Sequence, residues 1–513
     1  MKLRLWMTGI AIATAAGCEV GPNYQPPKTD FPASFGGGSI AKTSTRPATQ
    51  QAAEVDLTRW WASLGDPQLD ELVERAFRDN DDLAMALSRL QQARVIEQAA
   101  GGISLPFADI SAGAGRGTGS DSTRGRIGAP LHSGANTAGL HEITEAAGFD
   151  AAWELDLFGG FRRQVEAVRA DTEAAAQMRN AVLISVASDV ARAYIDATTL
   201  TLRLKAAQQN LEIQRQTVDL VTKRYNQGIT NELDVALAQR QLSTIQATIS
   251  PLSAGITIAK RRLAMLLGRM PGEQHVDLSK VVDLPSLPAQ IAPGLPIDLV
   301  RRRPDIGIAE RQLAASNARI GVAVANLFPQ VSLTGAFGFQ GQGLGVTPVA
   351  TKPIWSIGPG LYWPVLDFGA LDSVVRVRDL RTQELLFNYR KTVLTAIEEV
   401  DDAIANYAAQ RDRLDQLDAA VAASELAVRL ATQRYERGVT DFLNVLDAQR
   451  QLYDLDDQRL IAHQTVVIQY LAVYKALGGG WETQQQIPAI RGPRPAILAA
   501  GGEVFAPSHG GNQ

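Results

Sequence analysis

The chain has 513 residues, a formal net charge of −4 and one cysteine. A single cysteine excludes an intrachain disulfide, and the absence of basic clusters interleaved with aromatic residues argues against nucleic acid as a partner. The length is sufficient for two or more ordinary domains.

The first 18 residues have the layout of a secretory signal. Lys2 and Arg4 precede an apolar stretch, residues 5–16, that is too short to span a membrane as a mature helix. Residues 15–18, Ala-Ala-Gly-Cys, resemble the bacterial lipobox, in which small residues precede a cysteine that is acylated after cleavage. A lone cysteine can also be a small buried hydrophobic residue, but its position behind a signal favours lipidation of Cys18. Acyl chains contribute roughly 0.8 kcal/mol per buried CH₂ to membrane binding.

The rest of the chain divides at segments rich in proline, glycine or small polar residues, namely 21–50, 285–296 and 481–513. No run of 18 apolar residues follows the signal, so any membrane crossing must use β-strands closed into a barrel. We predict a signal peptide at 1–17, an acylated N-terminus and linker at 18–58, a first repeat at 59–270, a linker at 271–296, a second repeat at 297–480 and a flexible tail at 481–513.

The two repeats are copies of one unit. Residues 224–230, Arg-Tyr-Asn-Gln-Gly-Ile-Thr, recur at 434–440 as Arg-Tyr-Glu-Arg-Gly-Val-Thr, an offset of 210 residues. At Pro329 and upstream the offset is 223, so 13 extra residues lie between Pro106 and Trp153, a stretch that includes a segment of loop composition at 113–120. Because surface loops tolerate insertion and packed elements do not, the constant register elsewhere indicates that helix length is constrained.

Each repeat is predicted to contain a pair of β-strands before its long helices. In the second repeat the segments are 331–338 and 355–366, whose lengths suit tilted strands that cross a bilayer. Two pairs give four strands, whereas the smallest membrane barrels have about eight. Closure of a barrel therefore needs more than one chain.

A long helix follows each strand pair. Proline is absent between Pro130 and Pro251, and apolar residues recur every seven residues from Leu183, a pattern typical of helices that pack side by side in coiled coils. The first long helix, residues 161–226, would extend on the order of 100 Å at 1.5 Å per residue.

A turn and a returning helix complete each predicted hairpin. Gly228 and Gly438 stand where a left-handed C-cap would end the long helix. Thr230 and Thr440, each followed by Asn or Asp, supply N-cap candidates for the returning helix. Pro251 is expected to kink or divide the first returning helix.

These features together resemble the TolC-like outer-membrane efflux family, in its lipoprotein branch, over about residues 18–480. The segments that carry the resemblance are Cys-Glu-Val-Gly-Pro-Asn-Tyr at 18–24, Trp60-Trp61, Asp-Pro-Gln-Leu at 66–69, Trp-Glu-Leu-Asp-Leu-Phe-Gly at 153–159, Arg-Arg-Arg-Pro-Asp-Ile at 301–306 and the doubled Arg-Tyr turn.

The resemblance implies an α+β membrane protein with four transmembrane β-strands and long coiled-coil helical hairpins in each chain. A homotrimer would form a 12-stranded β-barrel in the outer membrane and a 12-helix α-barrel through the periplasm. The implied partners are a periplasmic adaptor (membrane fusion) protein, an inner-membrane pump of the RND type and outer-membrane lipid. Glu19, in place of the Asp associated with inner-membrane retention, favours a lipid anchor in the outer membrane.

In this family, inward carboxylates after the second turn line a constriction at the periplasmic end. The matching positions here are Asn444 and Asp447, and the first copy has Asp234 and Leu237. We expect Asp447, Asn444 and Asp234 to form a periplasmic gate. The alternative is that they are solvated helix residues or, for Asp234, a favourable charge in a first helical turn.

Two further sets of residues are implied at the tips. Tyr435 and Arg437 resemble residues that tether neighbouring hairpins in the closed state, although Tyr435 is also a heptad residue and can belong to the core. The turns themselves are expected to dock the adaptor, with the positions Gly228, Thr230, Gly438 and Thr440.

The expected function is therefore the exit duct of a tripartite efflux pump for drugs or other small molecules. An enzyme is disfavoured, because the five histidines lack metal-ligand spacing and neither a G-x-S-x-G nor a phosphate-binding motif occurs. We predict no catalytic residues, metal or cofactor. Two alternatives stay open, namely a duct for protein secretion and a periplasmic coiled-coil lipoprotein without a pore.

Overall fold

The computed structural model describes residues 19–28, 57–118, 141–272, 276–278, 283–285, 287, 302–344 and 350–482. A short 3-10 helix spans Leu57–Leu64. The elements that follow are α1 (Pro67–Asp79), α2 (Asp81–Ile103), β1 (Phe107–Thr118), β2 (His141–Leu155), α3 (Gly160–Asn226), α4 (Glu232–Leu266), α5 (Pro304–Ala325), β3 (Gln330–Leu344), β4 (Ala350–Tyr362), α6 (Ala370–Glu436) and α7 (Phe442–Ala476).

The helices repeat with equal lengths. The long helices α3 and α6 have 67 residues each, and the returning helices α4 and α7 have 35 each. Their starts keep the offset of 210 residues found in the sequence. The predicted pair of long helical hairpins is therefore present.

The heptad positions account for the packing of these helices. Leu183, Val190 and Ala197 of α3 are fully buried, as are Val393 and Val400 of α6 to within 1% exposure. Of the two outcomes predicted at Pro251, a kink or a division, division does not occur, because α4 continues through it. Proline removes one helical hydrogen bond, and buried residues on both sides, such as Ile245 and Leu263, hold the helix together.

The four strands form one antiparallel sheet in the order β1-β2-β3-β4. Strands β2 and β3 pair with each other, so the sheet joins the strands of both repeats. The predicted strands of the second repeat exist, but their bounds were wrong: β3 continues to Leu344, and β4 covers Ala350–Tyr362. Directly after β4, the indole of Trp363 donates a hydrogen bond to the carbonyl of Leu327 at 3.1 Å, outside the strand pairing.

The chain forms two compact units, which do not follow the repeats. The strand unit consists of the described residues within 1–36, 89–179 and 294–401, and the tip unit of those within 37–88, 180–293 and 402–513. Each unit therefore contains parts of both copies. Within the described residues, no helix combines the length and the apolar character needed to cross a membrane.

The two units have different cores. In the strand unit, small side chains predominate, and Ala170 of α3 packs with Ala314 and Ala315 of α5. In the tip unit, aromatic residues are prominent: Trp60 and Trp61 are fully buried, and the Trp60 ring stacks on Tyr474 with 6.1 Å between centroids.

Candidate functional site

Both hairpin tips lie in the tip unit and have the same turn. Gly228 donates to the carbonyl of Tyr225 at 2.8 Å, and Ile229 donates to that of Arg224 at 2.9 Å. This pair of bonds is the Schellman motif, which satisfies the last carbonyls of the helix. The second tip has the same bonds, from Gly438 to Tyr435 and from Val439 to Arg434, both at 2.9 Å.

The two turn glycines are needed for their backbone conformation. Their φ angles are +71° at Gly228 and +72° at Gly438, and a Cβ at either position would meet no atom within 4 Å. The predicted left-handed caps are thus confirmed. Because the space beside both glycines is open, the tips expose backbone as well as side chains.

The returning helices are capped differently in the two copies. In the first copy, Asn231 accepts the amide of Asp234 at 2.9 Å, and the hydroxyl of Thr230 bonds to the carboxylate of Asp234. In the second copy, the amide group of Asn444 donates to the hydroxyl of Thr440 at 2.6 Å. Asp234 and Asn444 thus both bond to the threonine four residues before them, Asp234 as acceptor and Asn444 as donor, and the N-cap residue of the second copy, Asp441, makes no side-chain cap bond.

Asp447 differs from the other candidate gate residues in the bonding of its side chain. It is exposed, and within the described part of the chain its carboxylate makes no hydrogen bond or ion pair. Its counterpart Leu237 is partly buried against the apolar cluster at the tips. At this position the second copy thus has an exposed carboxylate, whereas the first copy has a leucine that contributes to packing.

Tyr435 belongs to the core of the tip. It is 7% exposed and clusters with Val221, Ala238, Phe442, Val445 and Leu446. Its ring contacts Phe442 at 5.5 Å between centroids, and its hydroxyl has no partner among the described residues. These contacts favour the core interpretation of Tyr435. Arg437 is exposed, and its side chain makes no hydrogen bond or ion pair within the described residues.

The sequence reasoning missed Arg224. Its guanidinium carbon lies 4.4 Å from the centroid of the Tyr435 ring, and its Nη1 donates to the Tyr435 carbonyl at 3.3 Å. This cation–π contact joins the tips of the two copies. The signal in the sequence is the Arg-Tyr pair that occurs at both 224–225 and 434–435.

Cys18, the predicted lipidation site, lies outside the described residues. The residues directly after it are held firmly in the strand unit, because the Arg163 side chain, 3% exposed, reaches them from α3. Its guanidinium donates to the carbonyl of Val20 at 3.2 Å and to the side chain of Asn23 at 2.6 Å, and it forms an ion pair with Glu19 at 3.3 Å.

Tyr24 fixes the same segment further along. Its hydroxyl donates to Glu310 at 2.6 Å, and Arg311 lies 5.9 Å above its ring. Burial, followed by the bond to Glu310, raises the pKa of Tyr24 above its ordinary value, so the hydroxyl remains a donor. The segment 18–24 that carries part of the resemblance is thus a docking segment in its described part.

Two other segments of the resemblance also have structural roles. Arg303, only 8% exposed, pairs with Asp305 at 2.6 Å and with Glu399 at 2.7 Å, joining α5 to α6 in the strand unit. Burial alone would lower the pKa of Arg303, but the two carboxylates raise it overall. In the tip unit, Asp66 caps α1 and accepts the Tyr194 hydroxyl at 2.6 Å.

The fold and the tips define a class: an internally duplicated chain with a four-stranded sheet and two long helical hairpins. The chain matches the family described as Outer membrane efflux protein over residues 72–269 and 295–479. It belongs to this family, which confirms the resemblance seen in the sequence.

Individual relatives agree with this assignment. Nodulation protein T of Rhizobium leguminosarum bv. trifolii is 30% identical over 94% of this chain and 98% of its own length. The toluene efflux pump outer membrane protein TtgF of Pseudomonas putida is 30% identical over 93% of this chain and 98% of its own. The solved structure of the outer-membrane channel OprN is 34% identical and has a TM-score of 0.79, covering 90% of this chain and all of that one.

Proposed function

We propose that this protein is the outer-membrane exit duct of a tripartite efflux pump. The observation that carries the proposal is that one face of the sheet has an apolar row and the other face a row of polar or small residues. Ile110, Phe149, Phe337 and Trp355 face one another in a row across the four strands, and all four are exposed, by 85, 44, 49 and 75%. An exposed apolar row of this kind suits contact with lipid.

The neighbouring row of the sheet, on the other face, is polar or small. Its members are Asp109, Asp150, Ala336 and Ser356, again one from each strand. Alternation of apolar and polar residues is the pattern of strands between lipid and an aqueous lumen. Since β1 and β4 are the edges of the described sheet, pairing with further copies would close it.

Three copies would give a 12-stranded β-barrel and a 12-helix α-barrel through the periplasm. Acylation of Cys18 would anchor each chain in the outer membrane. The docking of residues 19–24 by Arg163 and Glu310 supports this part of the proposal, because it fixes the chain immediately after the anchor.

At the tips, Gly228, Thr230, Gly438 and Thr440 would meet a periplasmic adaptor, which connects the duct to an inner-membrane pump of the RND type. The open space beside both glycines supports docking there.

We further propose that Asp447 lines the periplasmic gate, with Asn444 beside it. Tyr435 and Arg437 would tether neighbouring hairpins in the closed state, and Asp234 would supply a further ring of carboxylates to the gate.

Drugs or other small organic molecules are the proposed cargo. The name of TtgF describes a toluene efflux pump, which supports an organic substrate class for this related chain. A duct for protein secretion is the second candidate, because the duct itself does not encode the cargo.

The test combines assembly with transport. The full-length protein is expected to run as a heat-resistant trimer from outer-membrane fractions and to produce discrete conductance steps in planar bilayers. A periplasmic lipoprotein without a pore would give neither. Deletion of the gene should lower resistance to small-molecule drugs, and a loss of secreted protein with unchanged drug resistance would favour the secretion duct instead.

A further inference from the structure

The contact between Arg224 and Tyr435 exists once in the chain, although both of its residues exist twice. The offset of 210 residues maps Arg224 onto Arg434, and Tyr435 onto Tyr225. Within the described residues, the side chains of Arg434 and Tyr225 make no hydrogen bond, ion pair or ring contact. Tyr225 is 42% exposed at a heptad position, whereas Tyr435, which Arg224 covers, is 7% exposed.

For other side-chain contacts between the copies in the tip unit, the offset does not give a second pair of the same residue types. Arg203 and Asp457 form an ion pair at 2.7 Å, Gln464 bonds to Asp196 at 2.6 Å, and Thr248 lies 3.3 Å from the Tyr453 hydroxyl. The equivalent pairs are Arg413 with Ala247, Ala254 with Asn406, and Gln458 with Ser243. The two pairs that contain alanine could not form the same ion pair or hydrogen bond. A contact between Gln458 and Ser243 would join different groups from those of Thr248 and Tyr453.

We propose that Arg434 of one chain covers the Tyr225 ring of a second copy, in the geometry that Arg224 and Tyr435 adopt within one chain. This inference rests on the proposed trimer. In such an assembly, the second-copy tip of one chain lies beside the first-copy tip of the next. A matching cation and ring would then meet across each junction.

The junction between chains is weaker than the one within a chain. At the intrachain junction, Tyr435 packs on Phe442, and Leu446 completes the cluster. The equivalents of Phe442 and Leu446 are Glu232 and Ala236. The junction between chains therefore loses apolar packing and depends more on the pair of Arg434 and Tyr225. It is the junction at which the tips separate first.

Cross-linking tests the pair directly. The full-length variant with Tyr225→Cys and Arg434→Cys is treated with a short bismaleimide and analysed on a denaturing gel. The reference variant carries Arg224→Cys and Tyr435→Cys, where the geometry is known from the structure. Each single-cysteine variant controls for background, including any free Cys18 thiol. We expect covalent dimers and trimers from the first variant only, and a product with the mobility of one chain from the reference.

The outcomes separate this inference from the proposed trimer. If the reference pair reacts and the protein is a trimer by native mass, but no interchain product forms, the inference is wrong and the trimer stands. A monomeric mass for the unmodified chain overturns both. A product that links the chain to a different protein assigns this surface to that partner and also overturns the inference.

A second measurement avoids cysteine substitutions that could disturb folding. Arg434→Gln should lower the temperature at which the trimer dissociates on a gel, whereas Arg434→Lys should retain more of it, because lysine keeps a cation above the ring. Equal dissociation temperatures for the two variants and the unmodified protein would exclude a contribution from this pair.

Discussion

Asp447 differs from the other candidate gate residues in that its carboxylate makes no hydrogen bond or ion pair with any residue that the structure describes. Asp234 and Asn444 are bonded to Thr230 and Thr440, so their substitution removes a local hydrogen bond as well as changing any gate. The Asp447 side chain is also exposed. A change in its charge can therefore be interpreted without a structural side effect.

We expect Asp447→Ala to raise single-channel conductance or to weaken block by multivalent cations, because a ring of carboxylates at a constriction attracts and retains such ions. Planar-bilayer recording measures both quantities. The control is Glu425→Gln, which removes another exposed carboxylate from the same copy. Conductance and cation block that remain unchanged in the Asp447 variant would show that this residue does not line the gate.

At the scale of elements, the sequence predicted the helices better than the strands. The first long helix was expected at 161–226 and covers Gly160–Asn226, because its end depends on a local signal, the left-handed glycine of the cap. Strand bounds depend on the partner strand, and β3 continues to Leu344 because it pairs with residues of the first repeat as far as Glu142. That pairing is invisible in local periodicity.

The candidate site was also predictable only in part, because the sequence shows local features and not long-range contacts. The turn glycines and the caps are local features, and the sequence located them. The contact of Arg224 with Tyr435 joins residues 211 positions apart, so no local pattern indicates it. Periodicity did identify Tyr435 as a heptad residue, which its burial supports.

Turn glycines with the same conformation should differ in their cost of substitution. Gly228 and Gly268 both end helices with left-handed φ angles, +71° and +65°. A Cβ on Gly228 meets nothing within 4 Å, but a Cβ on Gly268 would lie 2.1 Å from the carbonyl oxygen of Asp79. The neighbouring Asn80 side chain is buried and donates to the Leu266 carbonyl at 2.8 Å, so this junction cannot easily move.

We expect Gly228→Ala to lower the free energy of unfolding by about 1–2 kcal/mol, the cost of a left-handed residue with a Cβ. Gly268→Ala should cost a further ~1–3 kcal/mol, because it also overpacks the junction with Asp79. Thermal unfolding of the full chain in detergent, followed by helical circular dichroism, measures the difference. Equal losses in the two variants would contradict the role assigned to the close approach at Gly268.

At the scale of the whole molecule, the helices of the two copies keep one length, whereas the stretch from Pro106 to Trp153 is longer than its counterpart from Pro329 to Trp363. In the proposed trimer the two copies would alternate around the barrel, and equal hairpins would let them take equivalent places. The 13 additional residues of the first copy fall between Pro106 and Trp153, a stretch that includes β1 and most of β2. An insertion there leaves the equal helices of 67 and 35 residues unchanged.

Closure of the sheet in the proposed trimer would place its two faces in different surroundings, and two adjacent residues can test this. Phe337, 49% exposed, belongs to the apolar row, and Ala336 lies beside it on the other face, directly opposite Asp150. A lysine that faces lipid near the middle of a membrane strand costs about 2–4 kcal/mol, whereas one that faces an aqueous lumen is tolerated. Phe337→Lys should therefore reduce the amount of heat-resistant trimer in outer-membrane fractions, and Ala336→Lys should leave it near the level of the unmodified protein. The same yield from both variants would mean that the apolar row does not face lipid, and a greater loss from Ala336→Lys would mean that the faces are reversed.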